Sequence, residues 1–339
     1  MMERYSRQVL FEGIGAQGQG RLRAARVAVV GCGALGSALV ETLARAGVGR
    51  LKIVDRDFVE ESNLQRQTMF TERDARERVP KAIAAARRVE EINSEVECSA
   101  EVVDVNASNV ERLIEGRGLV LDGTDNFATR FLLNDACVKH GVPWVYGAAV
   151  GSYGVTMTIR PGATPCLRCV FPDEPAAGTA PTCDTAGVVM PVISIVAAVQ
   201  SAEALKLLTG SVESLHGGLL QFDVWRNEWR RIALKERAPD CATCALGRFE
   251  TLEAEAGDMT TVLCGRNAVQ VSPRRESRID LGALAARLRA AGEVKANPYL
   301  VRLRAGEYEL TVFGDARAIV RGTDDVGVAR SLYARYVGN

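Results

Sequence analysis

The sequence predicts an α/β protein built on a doubly wound, mostly parallel sheet with an antiparallel extension, followed by a small C-terminal α+β domain. Three observations carry this expectation. The first half alternates short β-branched runs with helical patterns, the signature of parallel strands joined by crossover helices. A glycine-rich turn, Gly31-Cys-Gly33-Ala-Leu-Gly36, stands between the first strand and the first of those helices. Near Ala245 the composition shifts into a polar, acidic stretch, beyond which a second compact pattern begins. At 339 residues the chain has room for one large core and a smaller one.

Taken in order, Val27–Val30 reads as a buried strand and Ser37–Arg45 as the helix behind it, with Leu51–Val54 as the next strand. Pro80 suits a first helical position and opens a helix from Lys81 to about Asn93. Val96–Val103 and Leu119–Leu121 read as strands, followed by a helix over about Ala128–His140 and a strand at Trp144–Tyr146. Gly151–Arg160 alternates like a strand with one wet face. A Gly- and Pro-rich loop, Pro161–Thr185, leads to the apolar helix Val192–Leu208 and then to a hairpin over Gly218–Leu234. The first domain is therefore expected to span 1–246 and a linker 247–262. In the second, 263–339, the strands fall at Ala268–Val271, Tyr299–Leu303, Glu307–Phe313 and Ala318–Arg321, with helices at Leu281–Ala291 and Asp325–Tyr336.

Composition narrows the function. Basic and acidic side chains balance at 42 each, so no nucleic-acid or membrane partner is expected. The N-terminal segment lacks the apolar run of a secretory signal, and the longest apolar stretch is broken by Pro191 and Ser194; the expectation is a cytoplasmic protein. In a reducing compartment, the nine cysteines point to metal or redox chemistry before disulfides. With His140 and His216 as the two histidines, mechanisms that need a His base start at a disadvantage.

The glycine turn lets phosphates approach backbone N–H groups at a helix N-terminus, and Asp55, ending the second strand, can hydrogen-bond a ribose. This combination fits any nucleotide. The following segment, Asp55-Arg-Asp57-Phe-Val-Glu-Glu-Ser-Asn63-Leu-Gln-Arg66-Gln67, adds carboxylates, an amide and a guanidinium. Phosphoryl chemistry uses such groups to neutralise charge on phosphate oxygens; a solvated turn is the plain alternative. Lys81 can place a point charge on a phosphate, and Asp125 stands where open α/β sheets bind ligands, although either could be an ordinary surface or capping residue.

Arg4-Tyr-Ser-Arg7-Gln8, the glycine turn, Asp55-x-Asp57 with Ser62-Asn63-Leu-Gln-Arg66-Gln67, Pro80-Lys81-Ala82 and Asp122-Gly-Thr-Asp125-Asn126 stand in one order. In that order they resemble the ubiquitin-activating-like adenylyltransferases of the ThiF/MoeB/HesA family, over about residues 1–245. The resemblance implies an ATP site held by Gly31, Gly33, Gly36, Asp55, Asp57, Gln67 and Asn126. Arg66 and Lys81 would lie on the phosphates with Asn63 alongside, and Asp125 would bind Mg2+. It also implies a homodimer in which Arg7 reaches the neighbouring subunit's ATP, after the logic of an arginine finger. The implied partner is a small ubiquitin-like sulfur-carrier protein ending in Gly-Gly, whose terminal carboxylate is adenylylated.

Cys166-Leu-Arg-Cys169 and Cys241-Ala-Thr-Cys244 form two Cys-x-x-Cys pairs, and four thiolates at this spacing make a closed structural Zn2+ site. Cys32, Cys98, Cys137 and Cys264 read as packing residues, with exposure the alternative for Cys264 in the linker region. Cys183 lies in a polar loop where a thiolate could be accessible, and in the thiazole-type members its counterpart is a candidate to join a sulfur-linked conjugate with the carrier. Phe222–Glu228, Trp144–Gly147 with Gly151–Gly154, and the segment opening at Leu263 resemble the thiazole-synthesis members that carry such an extension, and this resemblance favours that type over the molybdopterin type. The tail lacks the Cys loop of a rhodanese. An NAD-dependent dehydrogenase and a zinc-stiffened binding module are the readings from other classes. The absence of a His or Tyr/Lys proton relay and the Asn63–Arg66 cluster count against the dehydrogenase.

Overall fold

The computed structural model describes residues 3–175, 183–234, 236–253, 260–263, 267–273 and 278–338. They divide into two compact units, Met1–Ala254 and Glu255–Asn339.

The first unit is organised by an eight-stranded sheet. In chain order its strands are β1 (Arg26–Val30), β2 (Arg50–Val54), β3 (Glu97–Glu101), β4 (Leu119–Asp122), β5 (Trp144–Val150), β6 (Tyr153–Ile159), β7 (Gly218–Asp223) and β8 (Glu228–Ala233). The spatial order is β3-β2-β1-β4-β5-β6-β7-β8. The first five are parallel, and β5 to β8 pair antiparallel. The chain reverses direction across the sheet between β1 and β4, the place where such sheets bind ligands. Only the first residue of β1 and β2 escapes burial and β4 is buried throughout, as expected for strands covered on both faces.

Helices Ala34–Ala46 and Lys81–Ile92 cover one face, and Val110–Ile114 with Phe127–Lys139 cover the other. Gly47, in the left-handed region at φ 79°, closes the first of these helices. Pro80 stands one place before the helix rather than within it, at φ −56°, and Lys81 is the first helical residue. The apolar helix Met190–Thr209 packs against β5, β6 and helices Gly15–Ala24 and Ala34–Ala46. By length and composition it could cross a membrane, yet half of that window is buried within the protein.

The stretch 247–262, expected as a linker, contains structure. Helix Glu250–Glu253 packs on Phe127–Lys139 because the Thr251 N–H and hydroxyl both donate to the buried Asp135 carboxylate, at 3.1 and 2.7 Å. Thr260–Leu263 is a strand, β9. With β10 (Ala268–Val271), β11 (Glu293–Ala296), β12 (Leu300–Ala305), β13 (Tyr308–Phe313) and β14 (Ala318–Arg321) it forms the second unit's antiparallel sheet, in the order β11-β12-β13-β14-β10-β9. Helices Leu281–Leu288 and Val326–Tyr336 pack on one face. Asp280 and Asp325 cap them by accepting from the amides two and three residues on.

Candidate functional site

At the carboxyl edge of β1 the glycine turn is built by exclusion. Gly31 has φ +85°, and a Cβ there would lie 2.6 Å from the Gly123 carbonyl. A Cβ on Gly36 would lie 1.9 Å from the Gly31 oxygen, and one on Gly123 would lie 2.4 Å from the same atom. The turn, the loop after β4 and the start of helix Ala34–Ala46 therefore pack backbone to backbone. Gly33 differs: a Cβ there would meet one atom, Gln67 Nε2, at 3.8 Å. Its surface is open, the condition for a phosphate to approach.

Asp55 fixes this turn to the loop after β2. Its Oδ2 accepts from the Cys32 N–H at 2.6 Å and its Oδ1 from the Asp57 N–H at 2.7 Å. Burial pushes the carboxyl above the ordinary aspartate range, and nearby Lys81 opposes the shift. Lys81, itself buried, lies 3.3 Å from Asp57 Oδ2 through its Nζ, and its N–H donates to the Asp57 carbonyl at 2.9 Å. Asn63 Oδ1 accepts from the Glu60 N–H at 3.0 Å in a reciprocal cap that orders the turn Glu61–Asn63. Arg66 folds back to donate to the Ser62 carbonyl at 2.8 Å. Gln67 is buried and its Oε1 has no hydrogen-bond partner among the described residues, so this acceptor awaits a donor.

Asp55 and Gln67 are thus brought to the turn and Lys81 is tied to it through Asp57, while Asn63 and Arg66 make their contacts within their own segment; Asp125 and Asn126 stand on the loop that Gly123 docks against Gly31. Asp125 is exposed, and Asn126 caps helix Phe127–Lys139 by accepting from the Thr129 N–H at 2.9 Å. Arg7 lies elsewhere. Its neighbour Gln8 donates to the Ala46 carbonyl at 2.9 Å, and Tyr5 Oη accepts from Asn93 at 2.8 Å. Both tie the N-terminal segment to the far end of helix Ala34–Ala46 from the glycine turn.

Sequence reasoning missed Arg130 and gave Gln200, noted among the apolar positions of its helix, only a packing role. Arg130 is buried, 3.2 Å from Asp122 Oδ2 through its Nε, and its Nη2 donates to the carbonyls of Thr124 at 2.7 Å and Gly147 at 3.3 Å. Gln200 Nε2 donates to the carbonyls of Asp122 at 2.9 Å and Val145 at 3.1 Å. The one available signal was a charged and an amide residue at apolar positions of their helices.

The four sulfurs of Cys166, Cys169, Cys241 and Cys244 lie within 4.8 Å of one another, with pairs at 3.4, 3.6 and 3.9 Å. Tetrahedral zinc with Zn–S bonds of about 2.3 Å would separate its sulfurs by about 3.8 Å, so the donor set fits that ion. Around it, Thr243 donates to Asp135 at 2.7 Å and the Leu167 N–H to Asn134 at 2.9 Å, seating the knuckle on helix Phe127–Lys139. Cys32 and Cys137 are buried thiols raised by that burial, and the half-buried Cys98 is pushed up to about 12. The backbone of Cys183 begins the short helix Cys183–Ala186; its side chain and the whole of Cys264 lie outside the described residues.

Compared with known proteins, residues 5–243 match the model of the ThiF family. The chain is 48% identical to the sulfur carrier protein ThiS adenylyltransferase of Bacillus subtilis, an alignment covering all of both chains. It is 40% identical to the adenylyltransferase and sulfurtransferase MOCS3 of Sus scrofa, over 82% of this chain and 61% of that one. Among solved structures, E. coli MccB with ATP superposes with a TM-score of 0.63 at 23% identity, over 71% of this chain and 74% of that one; this likeness bears on the fold.

Proposed function

The chain belongs to the ThiF family, and from that premise we propose that it adenylylates the C-terminal glycine carboxylate of a ThiS-type sulfur-carrier protein. The carboxylate oxygen bonds the α-phosphorus of ATP, the bond to the β-phosphate bridging oxygen breaks, and pyrophosphate leaves. The observation that carries the choice of carrier is the end-to-end alignment with the Bacillus enzyme, which continues through the second unit, beyond the family match that stops at residue 243.

The step needs no general base, because the attacking carboxylate is already ionised. Positioning and charge neutralisation suffice. The turn at Gly31–Gly36 offers backbone N–H groups and an open surface at Gly33, Asp55 faces the ribose, and Lys81 and Arg66 supply positive charge. Gln67, with its unpartnered oxygen, offers an acceptor to a nucleotide hydroxyl or amine. The exposed Asp125 is a hard oxygen donor that suits Mg2+; that ion would neutralise phosphate charge. The cysteine knuckle would hold a structural Zn2+, which keeps its thiolates in a reducing compartment such as the cytoplasm.

The position of Arg7 supports a homodimer, given its expected role at an ATP site. Helix Ala34–Ala46 has 13 residues and so a length of about 20 Å. An arginine tethered at one end falls well short of phosphates at the other, so Arg7 would serve the site of a second copy.

ATP–pyrophosphate exchange tests the reading. A ThiS-type carrier ending in Gly-Gly should stimulate exchange more than a molybdopterin-type carrier, and Cys183→Ser should leave that stimulation intact, since adenylylation precedes any sulfur linkage. The reading is wrong if no Gly-Gly carrier stimulates exchange, and the thiazole assignment is wrong if the molybdopterin type is preferred.

A further inference from the structure

β4 and β5 pair through only Val120↔Trp144 and Leu121↔Val145. Past those two pairs the strands separate toward the carboxyl edge, and side chains take over what backbone pairing leaves open. On one side Gln200 clips the carbonyls of Asp122 and Val145 together. On the other Arg130 spreads over three segments: the Asp122 carboxylate, the Thr124 carbonyl and the Gly147 carbonyl. Asp122 in turn accepts from the Thr124 N–H and hydroxyl at 2.9 and 2.7 Å and from the Gly147 N–H at 3.4 Å. The guanidinium sits against the rings of Phe127 and Tyr146, at 5.4 Å from each centroid, which fixes its plane. The Nε and Nη2 donors of this fork are thereby aimed at the end of β4, at the loop that carries Asp125 and at the strand beside it.

We propose that Arg130 is a positioning residue for the reaction: it holds the loop Gly123–Asn126 in the one arrangement that presents the Asp125 carboxylate to the metal–nucleotide complex. The proposal rests on the reading of Asp125 as the metal ligand. A stabilising ion pair alone would need one contact to Asp122. The additional bonds to the Thr124 and Gly147 carbonyls set the height and tilt of the loop relative to β5. Lysine can replace the charge but not the fork.

The test uses Arg130→Lys and the double variant Asp122→Asn/Arg130→Gln, which removes both buried charges and so avoids stranding one. The affinity of the ATP complex for Mn2+ is read by electron paramagnetic resonance, alongside ATP–pyrophosphate exchange titrated with Mg2+ and the thermal midpoint. We expect the metal concentration for half-saturation to rise about tenfold or more in the double variant and by a smaller factor in Arg130→Lys, with the KM for the carrier unchanged. A purely structural role would lower the thermal midpoint and the active fraction while leaving metal affinity at its wild-type value in both variants, and that result overturns the proposal. Asp125→Asn is run beside them. If it leaves metal affinity unchanged, the reading of Asp125 falls and the proposal with it; if it abolishes metal binding while the Arg130 variants bind normally, the proposal alone falls.

Discussion

Substituting two glycines of the same turn should lower activity in both cases but stability markedly in only one. At Gly36 the added methyl would stand 1.9 Å from the Gly31 oxygen. An ordinary C···O contact is about 3.3 Å, so the backbone must yield by about 1.4 Å. Overpacking of this kind costs about 1–3 kcal/mol, and a displacement above 1 Å near reacting groups can cost about 100-fold in rate. Gly36→Ala is therefore expected to lower both the thermal midpoint and activity. At Gly33 the methyl meets nothing closer than Gln67 Nε2 at 3.8 Å. The backbone there, φ −82° and ψ −138°, lies just outside the β region and adds about 1 kcal/mol of strain. That corresponds to a fall of about 2–4 °C for a domain of this size. The same methyl occupies the surface a phosphate would use, so kcat/KM for ATP should fall by about 10- to 100-fold with little loss of stability. Differential scanning fluorimetry and ATP titration of carrier-dependent exchange read both quantities. A stable Gly33→Ala with wild-type kinetics for ATP would refute the assignment of this turn as the phosphate cradle.

Zinc analysis of the purified protein should return one ion per chain, and Cys169→Ser should remove it and lower the thermal midpoint, because Asp135 and Asn134 lose the knuckle they hold. Arg7→Ala and Arg66→Ala should each abolish exchange, yet mixed dimers assembled from the two should recover about a quarter of wild-type activity. Half of such dimers are mixed and each mixed dimer holds one intact site; no recovery would mean that Arg7 acts within its own chain. Burial holds the His216 imidazole below its ordinary value even though Glu203 opposes this. The unfolded chain then takes up a proton that the folded one refuses, so this histidine erodes stability as pH falls below about 6.5. His216→Gln should flatten the pH dependence of the thermal midpoint in that range.

The sequence made legible what depends on local spacing. The glycine turn, Asp55 and the two Cys-x-x-Cys pairs are short patterns whose geometry is dictated within a few residues. Lys81 and Asp125 became meaningful through their order along the chain. The roles of Arg130 and Gln200 were hidden for the opposite reason: Gln200, legible as a packing residue, acts on Asp122 across 78 positions, and Arg130 reads as one more helical charge until Gly147 is folded against it. β9 and β11 escaped notice because they are short edge strands, and the Glu293-Val-Lys-Ala run of β11 is almost wholly exposed, which leaves no apolar alternation to detect. Helix Glu250–Glu253 was hidden within an acidic stretch because its anchor, Thr251 on Asp135, lies 116 residues away.

The separation of the cysteine pairs bears on how the chain is made. Cys241 follows Cys166 by 75 positions. At about 5–20 residues per second, a ribosome needs about 4–15 s to deliver the second pair after the first. Throughout that interval Asp135 has neither Thr243 nor Thr251 to satisfy it, and the nascent sheet carries an unfinished flank. Closure of so long a loop then costs about 4 kcal/mol of chain entropy, a cost that a bound Zn2+ would offset only once Cys244 has emerged. Zinc would therefore bear on the late steps of folding, when the two pairs meet, and not on the growth of the sheet that precedes them.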